Sequence, residues 1–128
     1  MISKNFFLRT IFLILGLIIV NFLVSFLIVK ASFPVTQNYF PAGFGYGIFT
    51  SILIFALGGF CIHKLNLFKQ FSLMTALIIA GAIGNFLEYT IFGFVVDYIN
   101  IGIAVLNVAD LQIYGGLILL NWKILAKK

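Results

Sequence analysis

From Ile11 to Val29 the chain runs 19 residues without a charged side chain. A helix rises about 1.5 Å per residue, so this stretch is about 28 Å long as a helix, enough to cross the hydrocarbon of a bilayer. Three more apolar runs follow, from about Gly47 to Ile62, from about Phe71 to Leu87 and from about Ile101 to Leu120. Trp122 comes just after the last of them, where interfacial aromatic side chains belong. A water-soluble domain could not hide this much apolar surface: 63% of the 128 residues are hydrophobic and 9% charged, against about 45–50% and about 25% in soluble chains. The expectation is an all-α membrane protein, a single domain of four transmembrane helices (about 11–29, 47–62, 71–87 and 101–120) joined by short outer loops. The first run begins after Lys4 and Arg9, as a secretion signal does, but it is too long for a signal's apolar segment. Lys30-Ala31-Ser32 is also a poor cleavage site, so this helix is read as retained.

The basic residues order these helices. Lys4 and Arg9 precede the first run, Lys64 and Lys69 separate the second and third, and Lys123, Lys127 and Lys128 follow the fourth, whereas Lys30 alone falls on the other side. By the positive-inside bias, both termini and the 2–3 loop are cytoplasmic, and the 1–2 loop (about 30–46) and the 3–4 loop (about 88–100) face outward. Pro34 and Pro41 mark the first outer loop as irregular. The net charge of +5 is thus a topology signal beside lipid, and no nucleic-acid partner is expected. With one cysteine, Cys61, and one histidine, His63, the chain offers no internal disulfide, metal-ligand cluster, or serine or cysteine triad; no metal and no cofactor are expected.

The acidic residues are more telling. There are three, Glu88, Asp97 and Asp110, all within 23 consecutive positions. Carboxyl groups near a bilayer core are costly and mark function by default. Glu88 falls at the outer end of the third run, Asp97 in the outer loop, and Asp110 about nine residues into the fourth run, roughly 13 Å from its start as a helix. All three therefore reach the level of the outer leaflet. Asn85 precedes Glu88 by three residues and Asn107 precedes Asp110 by three, a spacing that puts an amide and a carboxyl on one helix face. Those faces turn inward, away from lipid. The small residues Ala80, Gly81, Ala82, Gly84, Gly115 and Gly116 let the helices approach.

Two neighbouring carboxyl groups share a proton, so one can act as base and the other as acid. Asp97 and Asp110 are the best pair for activating water against a peptide carbonyl. The same chemistry is compatible with a buried pair that only fixes helix contacts, or with one that relays protons.

Residues 81–99, Gly-Ala-Ile-Gly-Asn-Phe-Leu-Glu-Tyr-Thr-Ile-Phe-Gly-Phe-Val-Val-Asp-Tyr-Ile, and residues 106–110, Leu-Asn-Val-Ala-Asp, resemble the two signature blocks of bacterial lipoprotein signal peptidases (signal peptidase II). The family patterns are G-x-x-G-N-x-x-D-R running into G-x-V-V-D-[FY]-I, and later F-N-x-A-D. Order, Gly-Asn, Val-Val-Asp-Tyr-Ile and Asn-x-Ala-Asp all match, over about half the chain, and the four-helix topology agrees. The resemblance implies an aspartic endopeptidase of the cytoplasmic (inner) membrane, with its active site toward the outer face. It implies a catalytic dyad of Asp97 and Asp110, with Asn85 and Asn107 lining the site. The implied substrate is a lipid-modified prolipoprotein, cut before its lipidated cysteine. The segment Asn38-Tyr-Phe-Pro-Ala-Gly-Phe44 is similar to the family's N-x-G-A-A-F block with one residue more, which makes Asn38 a further site residue.

The departures bear on substrate choice. Glu88-Tyr89 stands where the family has Asp-Arg; Glu88 keeps the charge, but Tyr89 removes a fixed cation with five donors that is implied to hold the substrate backbone. Asn21 replaces the family's aspartate near the end of the first helix, and the lysine that follows it there is missing. The stretch from Asp97 to Asn107 is compressed, which reduces the outer flap. Two other functions stay on the table: a non-proteolytic relative that binds lipid or a membrane partner, and a proton-coupled transport component using Asp110 and Glu88 as relays.

Overall fold

The computed structural model describes residues 4–39 and 47–126. The chain winds as α1 (Lys4–Lys30), β1 (Thr36–Asn38), α2 (Gly47–Lys64), the short α3 (Leu67–Gln70), α4 (Ser72–Phe92), β2 (Val95–Asp97), β3 (Ile99–Asn100), β4 (Val105–Leu106) and α5 (Val108–Leu125). α4 is the central helix, packed against both α1 and α5. Among the described residues, two helices are long and apolar enough to cross a membrane, at Asn5–Lys30 and Ser72–Phe92.

Exposure is inverted relative to a water-soluble protein. Phe12, Ile19, Ile118 and Trp122 stand on the surface, whereas Thr10, Asn21, Ser25, Thr75, Glu88, Asp97 and Asn107 are buried. That is the distribution a lipid solvent selects, since hydrocarbon accepts the apolar side chains and forces polar groups to pair inside. The pairing is complete: among the described residues no buried side-chain nitrogen or oxygen lacks a hydrogen-bond partner.

Small residues set the helix spacing around α4. A Cβ on Gly81 would lie 2.4 Å from the Ala109 carbonyl oxygen, and one on Gly116 would lie 2.8 Å from the Met74 carbonyl oxygen, so α4 and α5 meet backbone to backbone at both levels. Gly84 makes room for Asn21 of α1, whose Nδ2 would be 2.8 Å from an added Cβ. Asn21 itself donates to Oε1 of Gln112 (3.0 Å) and accepts from its Nε2 (2.9 Å), a reciprocal amide pair that ties α1 to α5.

The connections that follow α1 and α4 depart from the expected picture of an all-helical chain with plain loops. β1 pairs antiparallel with β2, Thr36 opposite Asp97, Gln37 opposite Val96 and Asn38 opposite Val95. β3 pairs with β4 in a tight hairpin, where Gly102 takes φ +87° and its N–H is held by the Asn100 side chain at 2.8 Å. The fourth apolar run is divided as well. Residues 101–107 belong to the hairpin and its exit, and α5 begins at Val108. The reason is a capping box: Asn107 Oδ1 accepts from Asp110 N at 2.8 Å, and Asp110 Oδ2 accepts from Asn107 N at 3.1 Å. Asp110 therefore lies in the first turn of its helix instead of about nine residues along it, and Asn107 is the cap instead of a residue on the helix face. At the other end of the hairpin region α4 closes on Gly93, in the left-handed region at φ +80°, which turns the chain back toward β2.

Candidate active site

Three elements converge where α4 ends and α5 begins. α4 supplies Asn85 and Glu88, β2 supplies Asp97, and the start of α5 supplies Asn107 and Asp110. Asn107 is the hub. Its Nδ2 donates to Oδ1 of Asp97 (3.1 Å) and to Oδ1 of Asn85 (2.9 Å), while its oxygen caps α5. Asn85 passes the connection on, donating from Nδ2 to Oδ1 of Asp110 at 2.8 Å. The loop closes through the backbone N–H of Asn107 on Oδ2 of Asp110. Each amide is oriented by this arrangement, since only one placement of its oxygen and nitrogen satisfies donors and acceptors together.

Asn38 joins from β1, donating from Nδ2 to Oδ2 of Asp97 at 3.2 Å. It sits opposite Val95, and Asp97 is its diagonal neighbour on the same face of the ribbon. The rest of the segment that resembles the N-x-G-A-A-F block, residues 40–44, lies outside the described residues. Asp97 thus accepts one N–H on each carboxyl oxygen, and it is buried. Burial pushes its carboxyl up from an ordinary 3.8 to about 6; the Asn38 amide works against this, the Asp110 charge adds to it, and the Asn107 amide works against it again.

Glu88 belongs to an adjacent network. Its Oε1 accepts from Ser25 Oγ of α1 (2.5 Å) and its Oε2 from the backbone N–H of Val96 (2.9 Å). No hydrogen bond joins it to Asp110 or Asn85 among the described residues. Tyr89 is half-buried and stands outside both networks. Ser25, Gln112 and Tyr98 were not picked out from sequence. Ser25 and Asn21 are nevertheless the two most polar side chains of a 19-residue apolar run, four apart and so on one face, which is a readable signal. The Tyr98 hydroxyl accepts from the N–H of Val108 at 3.4 Å, and its own N–H donates to the Leu106 carbonyl at 3.0 Å.

A carboxyl pair joined through amides, with one member raised toward neutrality, can hold a single shared proton and can polarise a water between its members. Among the described residues no cluster of three or more His, Cys, Asp or Glu side chains is placed to hold a metal ion.

A family profile described as Signal peptidase (SPase) II matches residues 2–126. The lipoprotein signal peptidase of Thermodesulfovibrio yellowstonii is 35% identical over 88 residues, covering 65% of this chain and 59% of the relative. That of Buchnera aphidicola subsp. Schizaphis graminum is 36% identical over 78 residues, covering 57% and 50%, and that of Caldicellulosiruptor bescii is 49% identical over 61 residues, covering 47% and 39%. The matched part of the chain thus spans between 39% and 59% of the length of these curated relatives. The fold is shared with a bacterial membrane enzyme solved by the in meso method at 1.9 Å resolution, with a TM-score of 0.67 over 94% of both chains at 19% identity. A second such structure, at 2.3 Å resolution, gives 0.64 over 92% of this chain and 88% of the other, again at 19% identity.

Proposed function

This chain belongs to the signal peptidase II family, and from that footing we propose that it is an intramembrane aspartic endopeptidase in which Asp97 and Asp110 form the catalytic dyad. The observation that supports the reading is the closed network Asp97–Asn107–Asn85–Asp110, which ties two carboxyl groups to one hub; in this reading the pair shares one proton. One carboxylate takes a proton from water as the water oxygen bonds to the scissile carbonyl carbon. The other gives its proton to the departing amine as the C–N bond breaks, and the pair ends with one proton, as it began. Asn85, Asn107 and Asn38 hold the carboxyl groups in register, and Tyr89 stands where the family pattern has an arginine.

The proposed substrate is a lipid-modified prolipoprotein cut before its lipidated cysteine. The supporting consideration is depth. The site lies where α4 ends and α5 begins, far along the chain from Lys69 in α3, just before α4 starts, and from Lys123 near the end of α5; with those lysines inside, the site is outer, and lipids anchored in the outer leaflet would deliver a peptide to that level. In this reading α2 and α5, each 18 residues, complete four spans in the cytoplasmic membrane with both termini inside. A terminal tag clipped by protease added to intact cells would refute that orientation.

The test is cleavage of a lipidated prolipoprotein by purified protein in detergent, comparing wild type with Asp97→Asn and Asp110→Asn. Loss in both variants is the expected result. A folded wild type that cleaves nothing would favour the second reading, a non-proteolytic relative that binds lipid or a membrane partner; the specific observation behind it is Tyr89 in place of the family's arginine.

A further inference from the structure

Glu88 is 1% exposed and both of its carboxyl oxygens are occupied, one by Ser25 and the other by the Val96 N–H. A side chain so enclosed has no free oxygen to offer a substrate. What it holds is the residue next to Asp97. Backbone groups of a strand point alternately to its two edges, so β2 is fixed on one edge by its pairing with β1 and on the other by Glu88 through Val96. The residue on the far side of Asp97 is anchored too. The Tyr98 hydroxyl lies against Ser25 and accepts from Val108 at the start of α5. Asp97 is thus suspended between two anchored neighbours, and both anchors lead to one hydroxyl on α1.

We propose that Ser25 and Glu88 form a latch that positions Asp97, with Glu88 acting as a hydrogen-bond acceptor for the Val96 backbone and not as a substrate-binding or proton-transferring group. The proposal deepens the proteolytic reading and rests on it for its kinetic test, but its structural test does not.

The latch makes a distinctive demand on substitutions. In Glu88→Gln the amide oxygen can still accept from Val96 N–H, and the amide nitrogen can donate to Ser25, whose hydroxyl accepts as readily as it donates. Glu88→Gln should therefore cleave within about threefold of wild type. Glu88→Ala leaves Val96 N–H buried without a partner and frees β2, and a displacement of about 1 Å at a catalytic group can cost about a hundredfold. That loss should fall on kcat, with KM little changed. Ser25→Ala, which leaves the Val96 contact in place, should lose only a few-fold.

The second measurement is amide hydrogen exchange in detergent without substrate. Val96 N–H should be protected in wild type and Glu88→Gln and exchange freely in Glu88→Ala, while the α4 and α5 amides keep their wild-type rates. A Glu88→Gln variant as inactive as Glu88→Ala would overturn the proposal by showing that the charge or proton of Glu88 is needed. A raised KM with unchanged kcat in Glu88→Ala would overturn it in favour of substrate contact, as would an unaltered Val96 exchange rate. A wild type that cleaves nothing, yet protects Val96 only when residue 88 can accept, would uphold the latch and refute the proteolytic reading.

Discussion

Asn107 performs two tasks that can be separated by substitution. Its oxygen caps α5, and its nitrogen donates to Asp97 and Asn85. Asn107→Ser keeps a capping oxygen, since serine is among the best N-caps, but loses both donations. The donation to the Asp97 carboxyl is worth about 1.5–3 kcal/mol and that to the neutral Asn85 about 0.5–1.5 kcal/mol, so Asn107→Ser should lower stability by about 2–4.5 kcal/mol. Asn107→Ala loses the cap as well, about 1 kcal/mol more, or a few degrees of melting temperature. Activity should divide differently. Asp97 loses its link to Asp110 equally in both variants, so cleavage per folded molecule should fall about a hundredfold in each, equivalent to about 2.7 kcal/mol of barrier. The assays are thermal unfolding in detergent and initial cleavage rates scaled to the folded fraction. Wild-type cleavage by Asn107→Ser would show that the amide network is scaffolding without influence on the chemistry. A much larger activity loss in Asn107→Ala than in Asn107→Ser would show that the cap, and not the amide nitrogen, sets the site.

Four more outcomes follow from the geometry. With Asp97 raised to about 6, the singly protonated pair is depleted as pH rises through that value, so cleavage should follow a bell whose alkaline limb lies near pH 6, and a flat profile from pH 4 to 8 would refute the shared proton. The same shift favours folding below the ordinary value of 3.8 and is lost as pH rises through about 6, so Asp97→Asn should flatten the pH dependence of the melting temperature across that window. Gly81→Ala, whose Cβ would sit 2.4 Å from the Ala109 carbonyl oxygen, should cost about 1–3 kcal/mol, while Gly115→Ala, with nothing within 4 Å, should be neutral or stabilising by up to about 1 kcal/mol; equal melting temperatures would contradict this packing. Asn21→Leu and Gln112→Leu should each destabilise by about 1–3 kcal/mol by stranding the partner amide, whereas the double variant should cost less than their sum, measured as a coupling energy in a double-mutant cycle.

The helices were legible because a bilayer asks little beyond length and apolarity, and α1, α2 and α4 enclose the apolar runs from Ile11, Gly47 and Phe71 almost entirely. The start of α5 was not legible from hydropathy. Ile101 to Leu106 is as apolar as any helix turn, yet it forms a hairpin because Gly102 adopts a positive φ and Asn107 holds a cap. The spacing of Asn107 and Asp110 carried that information, but an i,i+3 pair reads equally well as a helix face or as a cap with its third residue. The grouping of Asp97, Asp110, Asn85 and Asn107 could be read because these residues lie within 26 positions of one another. Ser25 and Gln112 could not be assigned partners, since theirs stand 63 and 91 residues away and depend on how three helices cross.

The double duty of Asn107 has a consequence for assembly. The first turn of a helix ordinarily frays at little cost, but here unwinding that turn would withdraw the hub to which both aspartates are tied. Loosening the start of α5 and keeping both carboxyl groups tied to Asn107 are therefore mutually exclusive. A nascent chain whose last helix has not yet settled against α4 therefore lacks the network that ties Asp97 to Asp110, and under the proposed reading the ability to hydrolyse a peptide would arrive only with the completed fold.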